Sequence, residues 1–223
     1  MSITIGFLLF PDMTNLDFAG PFEVFSQVPG AKVHLVAKSI DAVTADKGLR
    51  LLPDTTFADC PQLDVLCVPG GPHVDFLFSD TETLSFLKKQ GDGAKYVTSV
   101  CTGSLILGAA GLLEGYKATS HWTSVDMLSH FGVVATKGRV VKDRNRITGG
   151  GVTAGIDFAI SVAAELVGEQ VAKMIQLGLE YNPAPPFVGG HPDVAEPEIV
   201  AAVGTIMRER LDRRRAAVGN FAA

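Results

Sequence analysis

The chain has 223 residues, 47% hydrophobic and 19% charged, which is enough apolar material for a substantial core and excludes a disordered or highly charged tail protein. A formal charge of −5 argues against broad electrostatic affinity for nucleic acid or anionic membrane. Three cysteines at irregular spacing, Cys60, Cys67 and Cys101, fit neither a disulfide framework nor a zinc site, so reduced thiols are expected.

Ile3 to Phe10 is a β-type apolar run ended by Pro11, and an amphipathic segment from Asp17 to Val28 follows as a helix. Val33 to Ala37 reads as a strand, Gly48 to Phe57 as a strand or hairpin excursion, and Asp64 to Val68 as a short buried strand ending at Pro69-Gly70-Gly71. Thr81 to Gln90 is the clearest helix of the next stretch. Tyr96 to Val100 is a strand and Gly103 to Leu113 an apolar helix, with only Cys101 and Thr102 between them. Thr119 to Trp122 reads as a short strand, Val133 to Lys142 as strand or hairpin, and Thr148 to Gly151 leads into helices at Thr153 to Val167 and Glu169 to Leu179. Asn182-Pro-Ala-Pro-Pro186 is an extended connector, after which Pro197 to about Arg214 forms a last helix. Within it, Arg208 to Arg215 mixes acids among bases and reads as a solvated helix face.

Strands alternating with helices imply an α/β fold with a mostly parallel sheet covered on both faces and ligands beyond the carboxyl ends of its strands. The even spread of apolar runs favours one catalytic domain over 1–186, with 187–223 as an extension packed on it or on a dimer partner. No stretch has the length of a membrane span and the first strand lacks the flanks of a signal peptide, which makes the cytoplasm the expected location.

Ser99-Val-Cys-Thr-Gly103 has the layout of a nucleophile elbow, in which small neighbours let the backbone turn sharply and expose the central side chain. A cysteine at a helix N-terminus gains thiolate character from the unpaired amides and the helix dipole. The same amides can stabilise charge developing on a substrate. The competing reading of Cys101 is an inert core thiol, and that reading prevails for Cys67, inside Val65-Leu66-Cys67-Val68, and for Cys60. Proton transfer requires a partner, for which Asp17 and His121 are the candidates. Asp17 reads equally as a helix N-cap, and His121 equally as a structural hydrogen-bonding residue. Gly71, Gly150 and Val152 are places where backbone can approach a ligand, although glycine runs of this kind are more often plain turns, while Trp122 and Val152 would suit a carbon-rich ligand if they are not core.

Ser99-Val-Cys-Thr-Gly-Ser104, Ala118-Thr-Ser-His-Trp122 and Thr148-Gly-Gly-Gly-Val-Thr-Ala-Gly-Ile-Asp157 resemble the PfpI-like branch of the class I glutamine amidotransferase-like superfamily, within it the members that hydrate isocyanides. The resemblance runs from the first strand through Glu180 to Pro186. It implies a flavodoxin-like three-layer sandwich, a homodimer, no cofactor, no metal, and addition of water to an isocyanide to give an N-substituted formamide. Carried onto matching positions it makes Cys101 the nucleophile, Asp17 the proton-transfer carboxyl and Thr102 the neighbour that tunes the site. Gly71, His121, Trp122, Gly150 and Val152 are the expected substrate contacts beside them. Peptidase-like members of the superfamily have histidine directly after the cysteine and glutamate at the carboxyl position. Thr102 and Asp17 stand there instead, which disfavours a protease-like pair. Other cysteine-dependent chemistry on carbonyl or amide substrates, or small-molecule sensing without catalysis, are the competing functions.

Overall fold

The computed structural model describes residues 2–221. Strand β1 (Ile3–Leu8) leads into helix α1 (Asn15–Phe25) and β2 (Ala31–Ala37). Next comes β3 (Val43–Thr44), before the foreseen excursion of Gly48 to Phe57; that excursion holds β4 (Arg50–Leu51), which pairs with β3 as a hairpin, and β5 (Thr55–Thr56). Then come β6 (Val65–Val68), a 3₁₀ helix over Val74–Ser79, α2 (Thr81–Gly93), β7 (Tyr96–Val100) and α3 (Gly103–Ala109). The rest is β8 (Lys117–Ala118), a second 3₁₀ helix over Val125–Phe131, β9 (Val134–Ala135), β10 (Val140–Asp143), β11 (Arg146–Gly149), α4 (Ala154–Val167), α5 (Glu169–Gly178) and α6 (Pro197–Phe221).

Seven strands form the central sheet in the order β10-β11-β7-β6-β1-β2-β5, parallel throughout except for β10, which runs antiparallel to β11. Helices α1, α4 and α5 pack together as one layer, and α2, α3, the two 3₁₀ helices and α6 as the other, giving the expected α/β sandwich. Strands β6 and β7 lie side by side in the middle; β6 is apolar throughout, and β7 buries Thr98 and Ser99 among its apolar residues, with Thr98 donating to the Leu66 carbonyl at 2.8 Å. A phenylalanine cluster fills the space beneath α1: Phe7 meets Phe18 edge-on at 5.3 Å, and Phe25 meets Phe158 of α4 at 6.2 Å. No helix among the described residues is long and apolar enough to cross a membrane.

Three sequence expectations fail for local reasons. Thr119 to Trp122 is irregular, because Thr119 spends its amide on the Thr148 hydroxyl and leaves the short β8 ladder. The helix after Cys101 ends at Ala109 because Gly111 takes φ 70° and turns the chain. The Arg208–Arg215 face is not wholly solvated, since α6 buries Leu211, Arg214 and Val218.

The start of α3 is pressed against the end of β6. A Cβ on Gly103 would overlap the Val68 carbonyl oxygen and come within 2.8 Å of the Pro69 carbonyl oxygen. Both obstacles are backbone, so neither can swing aside. Gly103→Ala is expected to cost about 3 kcal/mol, the upper part of the range for overpacking. Urea unfolding checks this, and a midpoint within error of wild type would refute the close fit.

Candidate active site

Cys101 joins the end of β7 to α3 with φ 57°, a left-handed conformation that costs a non-glycine residue about 1–2 kcal/mol. Four hydrogen bonds hold it there. Its amide donates to the Gly150 carbonyl at 2.8 Å and the Gly149 carbonyl at 3.1 Å. Its carbonyl accepts from the hydroxyls of Ser120 at 3.1 Å and Ser104 at 3.2 Å. The two serines were not foreseen as site residues, although Ser104 and Ser120 both fall inside the sequence blocks that carry the family resemblance.

Asp17 is fully buried in the first turn of α1. It is not the N-cap, a position taken by Thr14, so its carboxyl is free to point inward. Oδ2 accepts the Gly70 amide at 2.9 Å, Oδ1 has no donor in good geometry, and the Cys101 thiol approaches the same carboxyl. Burial raises the Asp17 pKa to about 7, against the opposing hydrogen bonds from Gly70 and Cys101. Burial, then the Asp17 charge, also push the Cys101 thiol well above its ordinary range.

This corrects the expectation of an exposed thiolate made by the helix terminus alone. Cys101 is only 5% exposed, and the Thr102 amide lowers its pKa less than desolvation and the carboxyl raise it. The two groups titrate as a pair that keeps one proton between them over a wide pH range.

Thr102 ties this pair to the loop after β6. Its hydroxyl donates to the Gly71 carbonyl and accepts from the Gly71 amide, both at 2.9 Å. Gly70 must be glycine, because a Cβ there would lie 2.5 Å from the Thr102 amide nitrogen and 2.9 Å from Asp17 Oδ2. Gly71 thus reaches the site, but its amide is engaged by Thr102 and not free for a ligand.

Cys101 opens into a cavity of about 190 Å³ lined also by Thr102, Gly71, His121, Val152, Asp46 and a face of α6. Trp122 and Gly150 line a separate cavity of about 770 Å³ that shares His121 and Val152 with the first. The five foreseen contacts therefore divide: Gly71, His121 and Val152 border the thiol's cavity, whereas Trp122 and Gly150 do not. Gly150 acts through its carbonyl on the Cys101 amide.

His121 is neutral at physiological pH. Burial, then the charges of Arg214 and Arg210, lower its pKa to about 4. Its Nδ1 lies 2.8 Å from the Thr123 hydroxyl and accepts the Thr123 amide at 3.4 Å, which leaves Nε2 to carry the proton. That tautomer makes His121 a donor rather than a base. Sequence reasoning missed Asp46, in the hairpin turn after β3, and Arg214, 113 positions beyond the cysteine, because neither carries a local signal.

A model of the DJ-1/PfpI family matches residues 3–165, which include Asp17, Cys101 and Val152. The chain is 52% identical to an isonitrile hydratase of Pseudomonas putida, over 99% of this chain and all of that protein. It superimposes on the crystal structure of a ThiJ/PfpI family protein from Pseudomonas syringae with a TM-score of 0.96 at 48% identity, covering 98% of this chain and 91% of that one. It is 31% identical to the helix-turn-helix transcriptional regulator GbdR of Pseudomonas aeruginosa over 77% of this chain, but over only 49% of the regulator.

Proposed function

The chain belongs to the DJ-1/PfpI family, and from that premise we propose that it adds water to the terminal carbon of isocyanides, releasing N-substituted formamides. The full-length likeness to an isonitrile hydratase supports the substrate class. The observation that carries the chemistry is the buried Asp17 carboxyl beside the Cys101 thiol, with one proton available between them and the thiol opening into a small cavity.

The Cys101 sulfur attacks the terminal carbon while the proton held with Asp17 is delivered to that carbon, forming a C–S and a C–H bond and leaving a thioimidate, R–N=CH–S–Cys. Asp17, now a carboxylate, takes a proton from water as the oxygen adds to the same carbon. That proton passes to nitrogen, the C–S bond breaks with its electron pair on sulfur, and R–NH–CHO leaves. The second proton of the water restores the shared proton, so one water is consumed per turnover. Thr102 fixes the loop that carries the Gly70 amide to Asp17, and His121 offers a neutral N–H at the cavity wall.

On this reading no metal or cofactor takes part, and residues 1–186 form the catalytic domain, with 187–223 completing its cavity. The protein acts in the cytoplasm as a homodimer, with no nucleic-acid partner.

Incubating the protein with simple alkyl and aryl isocyanides in H₂¹⁸O and following formamide by mass spectrometry tests the proposal: the product is expected to gain one ¹⁸O. Conversion of amides or aldehydes but no isocyanide would overturn it in favour of another member chemistry, and tight binding without conversion in favour of a sensor. The rate is expected to depend on pH as a bell. kcat/KM rises through about pH 7 as the doubly protonated pair loses its first proton, and falls in strongly alkaline solution as the shared proton is lost. A flat profile from pH 5 to 9 would refute the shared-proton pair.

A further inference from the structure

The C-terminal helix closes the cavity of Cys101 with Met207, Arg210, Leu211 and Arg214, residues spaced three and four apart along one face of α6. Arg214 is the unusual member. It is 3% exposed, yet no carboxylate among the described residues lies within ion-pairing distance of it. Its neighbour Arg213 takes Asp75, at 2.7 Å. Arg214 instead donates from Nη1 to the Ser124 hydroxyl at 2.9 Å and from Nη2 to the carbonyls of Pro72 at 2.9 Å and Gly71 at 3.3 Å. Its Nε is buried with no acceptor at all.

A buried guanidinium held by neutral groups, with a donor left over, is expensive unless negative charge faces it. The negative charge at hand is that of the Asp17–Cys101 pair, which carries one charge when it holds one proton. The Gly71 carbonyl is the mechanical link, since it accepts both from Arg214 and from the Thr102 hydroxyl next to the cysteine.

We propose that Arg214 is a positioning residue for the chemistry of Cys101: it clamps the Gly71–Pro72 loop against Thr102 and sets its positive charge opposite the anionic Asp17–Cys101 pair. This rests on the hydration reading for its rate effects only.

The charged and titratable groups facing the pair come from several elements. They are Asp46 from the β3–β4 hairpin, His121 after β8, and Arg210 and Arg214 from α6, with Asp75 of the first 3₁₀ helix behind Arg214 and neutralised by Arg213. Asp46 works against the pair's negative charge, and His121 is uncharged. Burial lowers the pKa of Arg214 itself, Cys101 is the foremost group opposing that fall, and the two residues line the same cavity.

The test measures alkylation of Cys101 by iodoacetamide against pH, which needs no isocyanide, beside steady-state hydration. In Arg214→Met the midpoint of alkylation is expected to rise by about one pH unit, and the rate at pH 7 to fall about tenfold. Arg214→Gln, which keeps a donor toward the carbonyls, is expected to show the same midpoint shift. Arg214→Lys keeps the charge but not the three-point clamp, so it should hold the midpoint while kcat falls about fivefold with KM little changed. Folded neutral variants whose alkylation profile matches wild type would overturn the electrostatic role. Should neither neutral variant fold, Arg214→Lys decides, and a wild-type kcat there would overturn the clamp. If wild type hydrates no isocyanide yet the alkylation midpoint shifts in Arg214→Met, the hydration reading fails and the role of Arg214 stands.

Discussion

Cys101→Ala is expected to lower isocyanide hydration by about 10⁴-fold or more, to the level of the free solution reaction, with the fold intact. The polar groups nearest the thiol are poor substitutes for it. His121 is a neutral donor, Thr102 has both roles of its hydroxyl engaged with Gly71, and Asp17 is a weaker nucleophile whose carboxyl is tied to Gly70. Cys101→Ser preserves size but replaces a polarisable sulfur with a hydroxyl far harder to ionise, so it should be almost as inactive. The left-handed turn survives both changes, because the four bonds that hold it are made by backbone atoms of residue 101. Intact-mass analysis during turnover should show an adduct of one substrate mass on wild type and none on Cys101→Ala. Retention of more than about 1% of activity in the alanine variant would exclude a covalent path.

Asp17→Asn should separate activity from stability. Loss of the proton carrier is expected to lower kcat/KM by about 10³-fold, within the span of general acid–base effects. The same change should stabilise the protein in alkaline solution. Asp17 titrates at about 7 when folded and at 3.8 in the ordinary case. Between those values the folded protein binds a proton that the unfolded chain has released. Stability therefore declines as pH rises through this window, and the penalty is complete above pH 7. Each pH unit of the window corresponds to about 1.4 kcal/mol. Asparagine escapes the penalty but gives a weaker bond to the Gly70 amide, so a net gain of about 2 kcal/mol at pH 8 is expected. That is a rise of about 5 °C in Tm, shrinking to nothing near pH 4. Thermal scans at pH 4.5 and pH 8 check it, and a lower Tm for Asp17→Asn at pH 8 would contradict a strained buried carboxylate.

Much of this was legible in the sequence where the signal is local. Tyr96 to Val100 followed within two residues by Gly103 defines a strand-to-helix turn, and the structure places β7 and α3 on those boundaries. The apolar run from Val65 to Val68 marked β6 as a buried strand, and the structure places it between β7 and β1. Local signal misjudged what tertiary packing decides. Whether Asp17 caps a helix or faces a thiol depends on Gly70, 53 positions away. Whether an arginine in a mixed-charge run is solvated depends on what its helix lies against, so Arg208 and Arg215 are exposed while Arg214 is buried. Trp122 stood beside His121 in a suggestive block, yet both line the larger cavity and only His121 also reaches the cavity of the thiol. Thiol reactivity was misread for a similar reason. A helix terminus is visible in sequence, whereas the desolvation that outweighs it is not.

The wall that α6 lends to the cavity has a bearing on how the protein is made. Met207, Arg210, Leu211 and Arg214 leave the ribosome after every strand described above and the cysteine itself have emerged. Until that helix docks, the cavity has one side open to water, and the Gly71–Pro72 loop lacks its guanidinium tether. A nascent chain thus carries its thiol without the enclosure that makes it useful, and ripening of the site waits on the emergence and docking of α6.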